Sequence, residues 1–154
     1  MVVWRTEGKA NSNGERTMRH SGHQTYLTDR SFEHEILRSR LPLLVEFWAK
    51  WSGGCHIMAP IVDSLRDSLA GRITLMHMNI DLCPRTARRF CVHTVPTLLL
   101  FRRGTLVDSI SGIVPRSVLF QQVVRNLDAP DAATFIPRAD ESRNAPQQQY
   151  ENES

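Results

Sequence analysis

Val45-Glu46-Phe47-Trp48-Ala49-Lys50-Trp51-Ser52-Gly53-Gly54-Cys55-His56-Ile57-Met58-Ala59-Pro60 is the stretch that decides the fold. It begins inside an apolar run, Leu43 to Trp48, interrupted only by Glu46. Such a run, rich in Leu, Val and aromatics, reads as a strand buried on both faces. A glycine-containing turn follows. The next segment predicts a helix from about Gly54 to Leu69, because Met58, Ile61, Val62, Leu65 and Leu69 recur at helical spacing. Pro60 falls inside that helix and predicts a kink.

Working outward, His23 to Leu27 reads as a short strand. Asp29 is placed to cap a helix from about Ser31 to Arg38, with Phe32, Ile36 and Leu37 turned inward. Ile73 to Ile80 is the next strand and Thr86 to Cys91 a short helix. Thr97 to Arg102 and Thr105 to Ile110 are strands joined by Arg103-Gly104, a hairpin signal. Pro115 opens the last helix, where its missing N–H is harmless, and Val118, Leu119, Val123 and Leu127 supply its inner face. The order βαβαβαββα predicts an α/β fold with a central mixed sheet flanked by helices.

The chain has 154 residues and 41% hydrophobic content, which suits one domain with tails. Residues 1–22 are polar and aperiodic and are expected to form a disordered extension. The folded domain is expected over 23–128. Residues 129–154 hold Pro130, Pro137, Pro146 and Gln147-Gln148-Gln149, and are expected to be a second disordered tail. The net charge is +3. Arg85, Arg88, Arg89, Arg102 and Arg103 are the nearest thing to a basic stripe, and a solvated face is the preferred reading over a nucleic-acid site. No apolar run reaches the roughly 18 residues of a membrane span, and the N-terminus lacks a secretory pattern. A cytoplasmic location is therefore expected. Cys55, Cys83 and Cys91 are an odd set, which points to free thiols or a redox role in a reducing compartment.

Five local patterns, in order and spacing, resemble thioredoxin over about Gln24 to Asn126. They are Val45 to Trp51; Cys55 to Pro60; Asn79-Ile80-Asp81; Val95-Pro96-Thr97 with Leu98-Leu99-Leu100-Phe101; and Gly104 with Gly112. The resemblance implies the thioredoxin fold. It also implies a protein-disulfide oxidoreductase in which a first motif cysteine attacks a client disulfide and a second resolves the adduct. Ser52 and Cys55 hold those two places. Glu46 holds the place of a buried carboxylate that assists proton transfer, and Pro96 that of a cis-proline. Trp51, Gly53, Gly54, Thr94, Val95, Pro96 and Gly112 would line the client groove.

Ser52 is the departure. A hydroxyl forms no disulfide, so the two-thiol cycle is not available at this site, and enzymatic status is left open. Cys55 is read as a monothiol or as an inert buried thiol. Gly54, where the family commonly has proline, is expected to loosen the turn and expose Cys55. His56 is read as a solvent-facing residue before a cation beside the thiol. Glu46 is the candidate proton acceptor, or a carboxyl satisfied by backbone or water. Cys83 and Cys91 flank mostly helical chain spanning roughly 12 Å, beyond the about 7 Å a disulfide allows, so free thiols are expected. Cys55, His56 and His93 lack the paired spacing of a zinc site, and no metal or cofactor is expected.

Two functions follow. The first is a thiol redox protein acting on client thiols or disulfides through Cys55, with glutathione or a thioredoxin-reductase-like donor completing the cycle and weak or absent dithiol activity. The second is a redox-inactive client-binding module, a chaperone or assembly factor. By resemblance the protein is expected to be a monomer.

Overall fold

The computed structural model describes residues 19–20 and 24–130. Of the tail expected over 129–154, residues 131–154 lie outside them, as does most of the 1–22 extension. Within that extension, Arg19–His20 forms a short strand, β1. There follow β2 (Gln24–Tyr26), α1 (Phe32–Arg38), β3 (Leu43–Trp48), α2 (Gly53–Ser68) and β4 (Thr74–Asn79). The chain continues with α3 (Pro84–Arg89), β5 (Thr97–Arg102), β6 (Thr105–Ser111) and α4 (Arg116–Asp128).

The sheet order is β1-β2-β4-β3-β5-β6. β2, β4 and β3 run parallel; β5 lies antiparallel to β3, and β6 antiparallel to β5. This is the mixed α/β sheet of the thioredoxin fold. β3 occupies the centre, which accounts for its nearly unbroken apolar sequence. Its residues alternate between faces. Leu43, Val45 and Phe47 join Phe32, Ile36, Met78 and Phe101 on the α1 and α3 side. Leu44 packs with Met58, Val62, Leu65, Leu119 and Val123 on the α2 and α4 side. By alternation Glu46 and Trp48 also face α2.

Phe32, Phe90 and Phe101 close the first core as three edge-to-face pairs, with centroids 5.4 to 5.7 Å apart. The hairpin turn places Arg103 at φ 50° and Gly104 at φ 78°, the paired left-handed geometry favoured between twisted strands.

Three local expectations are corrected. Leu37 is 71% exposed. Phe32 and Ile36, one turn apart, already supply the buried face of this short helix, and Leu37 instead lies over the hairpin glycine Gly104. Val118 is exposed, because Leu119 and Val123 alone are buried in α4. Asp29 does not cap its own helix: Ser31 stands at that N-cap. The Asp29 carboxylate crosses to α3, accepting from the Arg85 amide (3.1 Å), the Thr86 amide (2.8 Å) and the Thr86 hydroxyl (2.6 Å). Burial opposes its ionisation, but these bonds outweigh it and hold the carboxyl below its ordinary range.

Candidate functional site

The site forms where β3 ends and α2 begins. Ser52 is the N-cap of α2, with extended backbone and a side chain that accepts the Cys55 amide at 3.2 Å. Serine is a favoured residue for this task, because the first helical amides have no partner within the helix. The same hydroxyl donates to the Val95 carbonyl at 3.3 Å. The residue at the place of the attacking cysteine thus ties the helix end to the loop before β5. It is 5% exposed.

That loop carries the cis Val95–Pro96 peptide. The Gly112 amide donates to the Pro96 carbonyl at 2.8 Å, and the Thr97 hydroxyl to the Thr94 carbonyl at 2.7 Å. Gly54 faces the loop closely: a Cβ at Gly54 would stand 3.1 Å from Pro96 Cδ. The structure therefore assembles Ser52, Gly54, Val95, Pro96 and Gly112 into one floor, with Thr94 exposed beside it. Trp51 (68% exposed) and Ile113 (54% exposed) stand at this end of the molecule. The Trp51 indole N–H donates to Asp81 Oδ2 at 3.0 Å, which gives the Asn79-Ile80-Asp81 pattern a physical purpose.

Cys55 lies one turn into α2, 7% exposed. The expectation that Gly54 would expose it is not met. Gly54 does not loosen the turn, because it is pressed against Pro96 and Ser52 fixes the helix end. His56 is exposed, as expected, and its Nε2 lies 3.1 Å from the Lys50 carbonyl, so that nitrogen donates.

Glu46 sits behind this floor. It is 6% exposed, and its Oε2 lies 2.6 Å from Nδ1 of His77, itself 5% exposed. The two are register partners on the parallel strands β3 and β4. His77 was missed in the sequence reading. The available signal was an ionisable residue between the apolar Met76 and Met78 of β4, matching Glu46 between Val45 and Phe47 in β3. Glu46, His77, Tyr26, Trp48, His56, Asp63 and Cys55 line one small pocket. The Tyr26 ring stands 5.5 Å from the His77 ring. Burial, then the Glu46 and Asp63 charges, push the Tyr26 hydroxyl up to about 12.

Cys83 and Cys91 are free thiols, as expected. Cys83 is buried and donates to the Leu27 carbonyl. Burial and then the Asp29 charge raise its pKa to about 11. Cys91 is exposed. Of the arginines named as a basic set, two are engaged as follows. Arg89 pairs with Glu33 at 3.1 Å and stacks on Phe90, while Arg102 donates to the Asn126 and Ala129 carbonyls at the end of α4. Among the described residues no cluster of three or more His, Cys, Asp or Glu is placed to hold a metal, and no helix is long and apolar enough to cross a membrane.

A parallel-antiparallel sheet with a capped helix N-terminus facing a cis-proline loop defines the thioredoxin-fold class. The thioredoxin family model matches residues 23–125, and the chain belongs to the thioredoxin family. It is 38% identical over 101 residues to thioredoxin 1 of Nostoc sp., covering 66% of this chain and 94% of that protein. It is 39% identical over 93 residues to thioredoxin of Synechocystis sp., covering 60% and 87%. Chloroplastic thioredoxin M4 of Arabidopsis thaliana is 42% identical over 101 residues, covering 66% of this chain and 52% of that one. The family is one of thiol redox proteins with protein clients.

Proposed function

We propose that the protein is a monothiol member of its family, acting on client protein disulfides through Cys55 and drawing electrons from an external thiol. The observation that carries this is the pairing of an assembled groove with a single motif thiol, Ser52 being committed to the cap. The Cys55 thiol gives its proton to Glu46, which shares the pocket. The thiolate attacks a client disulfide. A Cys55–client S–S bond forms, and the other client sulfur leaves as a thiolate and takes up a proton. Glutathione then attacks the client sulfur of the adduct and frees Cys55, and a second glutathione releases the reduced client. Two glutathione thiols become one disulfide for each client disulfide reduced. Because Ser52 cannot resolve the adduct, dithiol reductase activity is weak or absent. The protein works as a cytoplasmic monomer in this reading, without a cofactor.

The test is peptide-resolved mass spectrometry after incubation with a disulfide client, in a Cys91→Ser background. A client adduct on Cys55 that glutathione releases is expected. Failure to form it, with the client still bound, would replace this reading with the second one. In that reading the groove holds extended client segments without chemistry, as a chaperone or assembly factor would. The burial of Cys55 is the observation on its side.

A further inference from the structure

Opposite the groove, at the Leu43 end of β3, the sheet carries a different kind of surface. β3, β4 and β5 meet there side by side. Leu43 is in register with Thr74 on one side and Phe101 on the other, and the Thr74 amide donates to the Pro42 carbonyl at 2.9 Å. Residues flanking these strand ends are thereby gathered from distant parts of the sequence. Arg40 precedes β3, Arg72 precedes β4, Arg102 ends β5 and Arg103 begins the hairpin turn. All four line one open hollow of about 300 Å³, with Leu41, Pro42 and Leu127 as its apolar surface. A guanidinium stays charged at every working pH, so four around one hollow repel one another and favour an anion among them. The end of α4 already answers part of this charge. Asp128 meets Arg72 at 3.0 Å, and Arg102 holds the chain on either side of Asp128, donating to the Asn126 and Ala129 carbonyls at 3.0 and 2.8 Å.

We propose that this hollow is the docking site of the acidic segment that follows α4 in the same chain, residues 131–141. The segment reads Asp131-Ala132-Ala133-Thr134-Phe135-Ile136-Pro137-Arg138-Ala139-Asp140-Glu141. Asp131, Asp140 and Glu141 flank the apolar Phe135-Ile136-Pro137, with Arg138 the one cation. The hollow is its complement, arginines set around an apolar patch on which Leu41 is exposed. Position favours this occupant over a separate anion. The segment starts beyond Pro130, next to the Ala129 carbonyl that Arg102 holds. Extended chain from Pro130 to Phe135 reaches up to about 17 Å, and from Pro130 to Asp140 about twice that. That is enough to lay the apolar trio on Leu41 and carry Asp140 and Glu141 over Arg40 and Arg103. A tethered segment also meets the hollow at high effective concentration, so ion pairs that are weak singly act together. The C-terminal segment is thereby kept at the pole away from the groove. The inference involves no thiol chemistry and is independent of the reading of Cys55.

The test is hydrogen–deuterium exchange of the full chain, read by mass spectrometry on peptides covering 131–141. At low ionic strength these amides should exchange about fivefold or more slower than at 1 M salt, where the screening length has shrunk to about 3 Å. Arg40→Glu with Arg103→Glu should remove the slowing; these two are chosen because Arg72 and Arg102 also hold the end of α4. Asp140→Arg with Glu141→Arg should remove it as well, and the four changes together should restore it. The slowing should not depend on protein concentration. A dependence means that a second copy supplies the segment, which overturns the assignment. Exchange at the unprotected rate in low salt overturns it, as does slowing that survives the Arg40 and Arg103 changes. Inorganic pyrophosphate should compete and speed exchange. Pyrophosphate that shifts the Arg40 and Arg103 Nε–H signals without changing exchange gives the hollow to an external anion and overturns the proposal. If the variants do not fold, the salt and pyrophosphate responses of the unmodified chain decide.

Discussion

The hydroxyl of Ser52 lies 3.3 Å from the carbonyl oxygen of Val95, while also accepting the Cys55 amide. One oxygen thereby fastens the start of α2 to the cis-proline loop. Ser52→Ala removes both bonds and should cost about 1 kcal/mol, read as a lowered urea midpoint. Ser52→Cys gives up part of the cap for a second thiol. It should form a disulfide with Cys55 and raise insulin-disulfide reduction with dithiothreitol above that of the unmodified chain. An inert, folded Ser52→Cys would show that Glu46 or Gly54 has also altered the chemistry.

The three thiols differ in reach, and their alkylation should be ordered accordingly. Cys91, exposed, reacts first. Cys83, 3% exposed and with its thiol pushed up to about 11, reacts last, at least about tenfold behind Cys91. Cys55 falls between them. Time-resolved iodoacetamide labelling of the native protein checks this, and all three should react alike in denaturant.

Alkaline pH should weaken the fold. Cys83 and Tyr26 hold their protons to about 11 and about 12 in the folded chain, against ordinary values of 9.0 and 10.0. Their contribution is fully present below the ordinary values. It is lost as pH rises through that window, because the unfolded chain ionises first. Denaturation midpoints should fall from about pH 9 upward, and Cys83→Val should flatten the first part of the decline.

Asp29→Ala should destabilise the protein by about 1 kcal/mol, the usual cost of losing a helix N-terminal acceptor. Because the folded carboxyl sits below its ordinary range, its contribution is present above pH 3.8 and fades as acid protonates it. The difference between the two proteins should therefore narrow in acid. Thermal melts at neutral and acid pH provide the comparison.

Much of this architecture was legible from residues. β3 is legible over Leu43 to Trp48 because an apolar run of that length, rich in Leu, Val and aromatics, fits a strand covered on both faces, and the Arg103-Gly104 hairpin is legible from its turn residues. The groove was legible only through resemblance, since Trp51, Pro96 and Gly112 are far apart in sequence. Lateral contacts were not legible. The Glu46–His77 pair depends on which strands are neighbours and in what register, and local pattern does not encode either. Local pattern assigns Asp29 to the helix nearest in sequence; the folded chain instead brings the start of α3 to it. Ser52 was read for the thiol it lacks, although a serine three residues before Cys55 also carries a capping signal.

The reach of Asp29 bears on the order of assembly. Its bonds to Arg85 and Thr86 join points 56 and 57 residues apart. α3 spans six residues, too short to persist alone in water. Its first turn is completed only when the segment before α1 has docked, so its formation carries the loop-closure entropy of that long connection. α3 should accordingly consolidate late in folding and show weaker amide protection than the central strands, leaving Cys91, just beyond its end, on one of the last parts of the domain to become rigid.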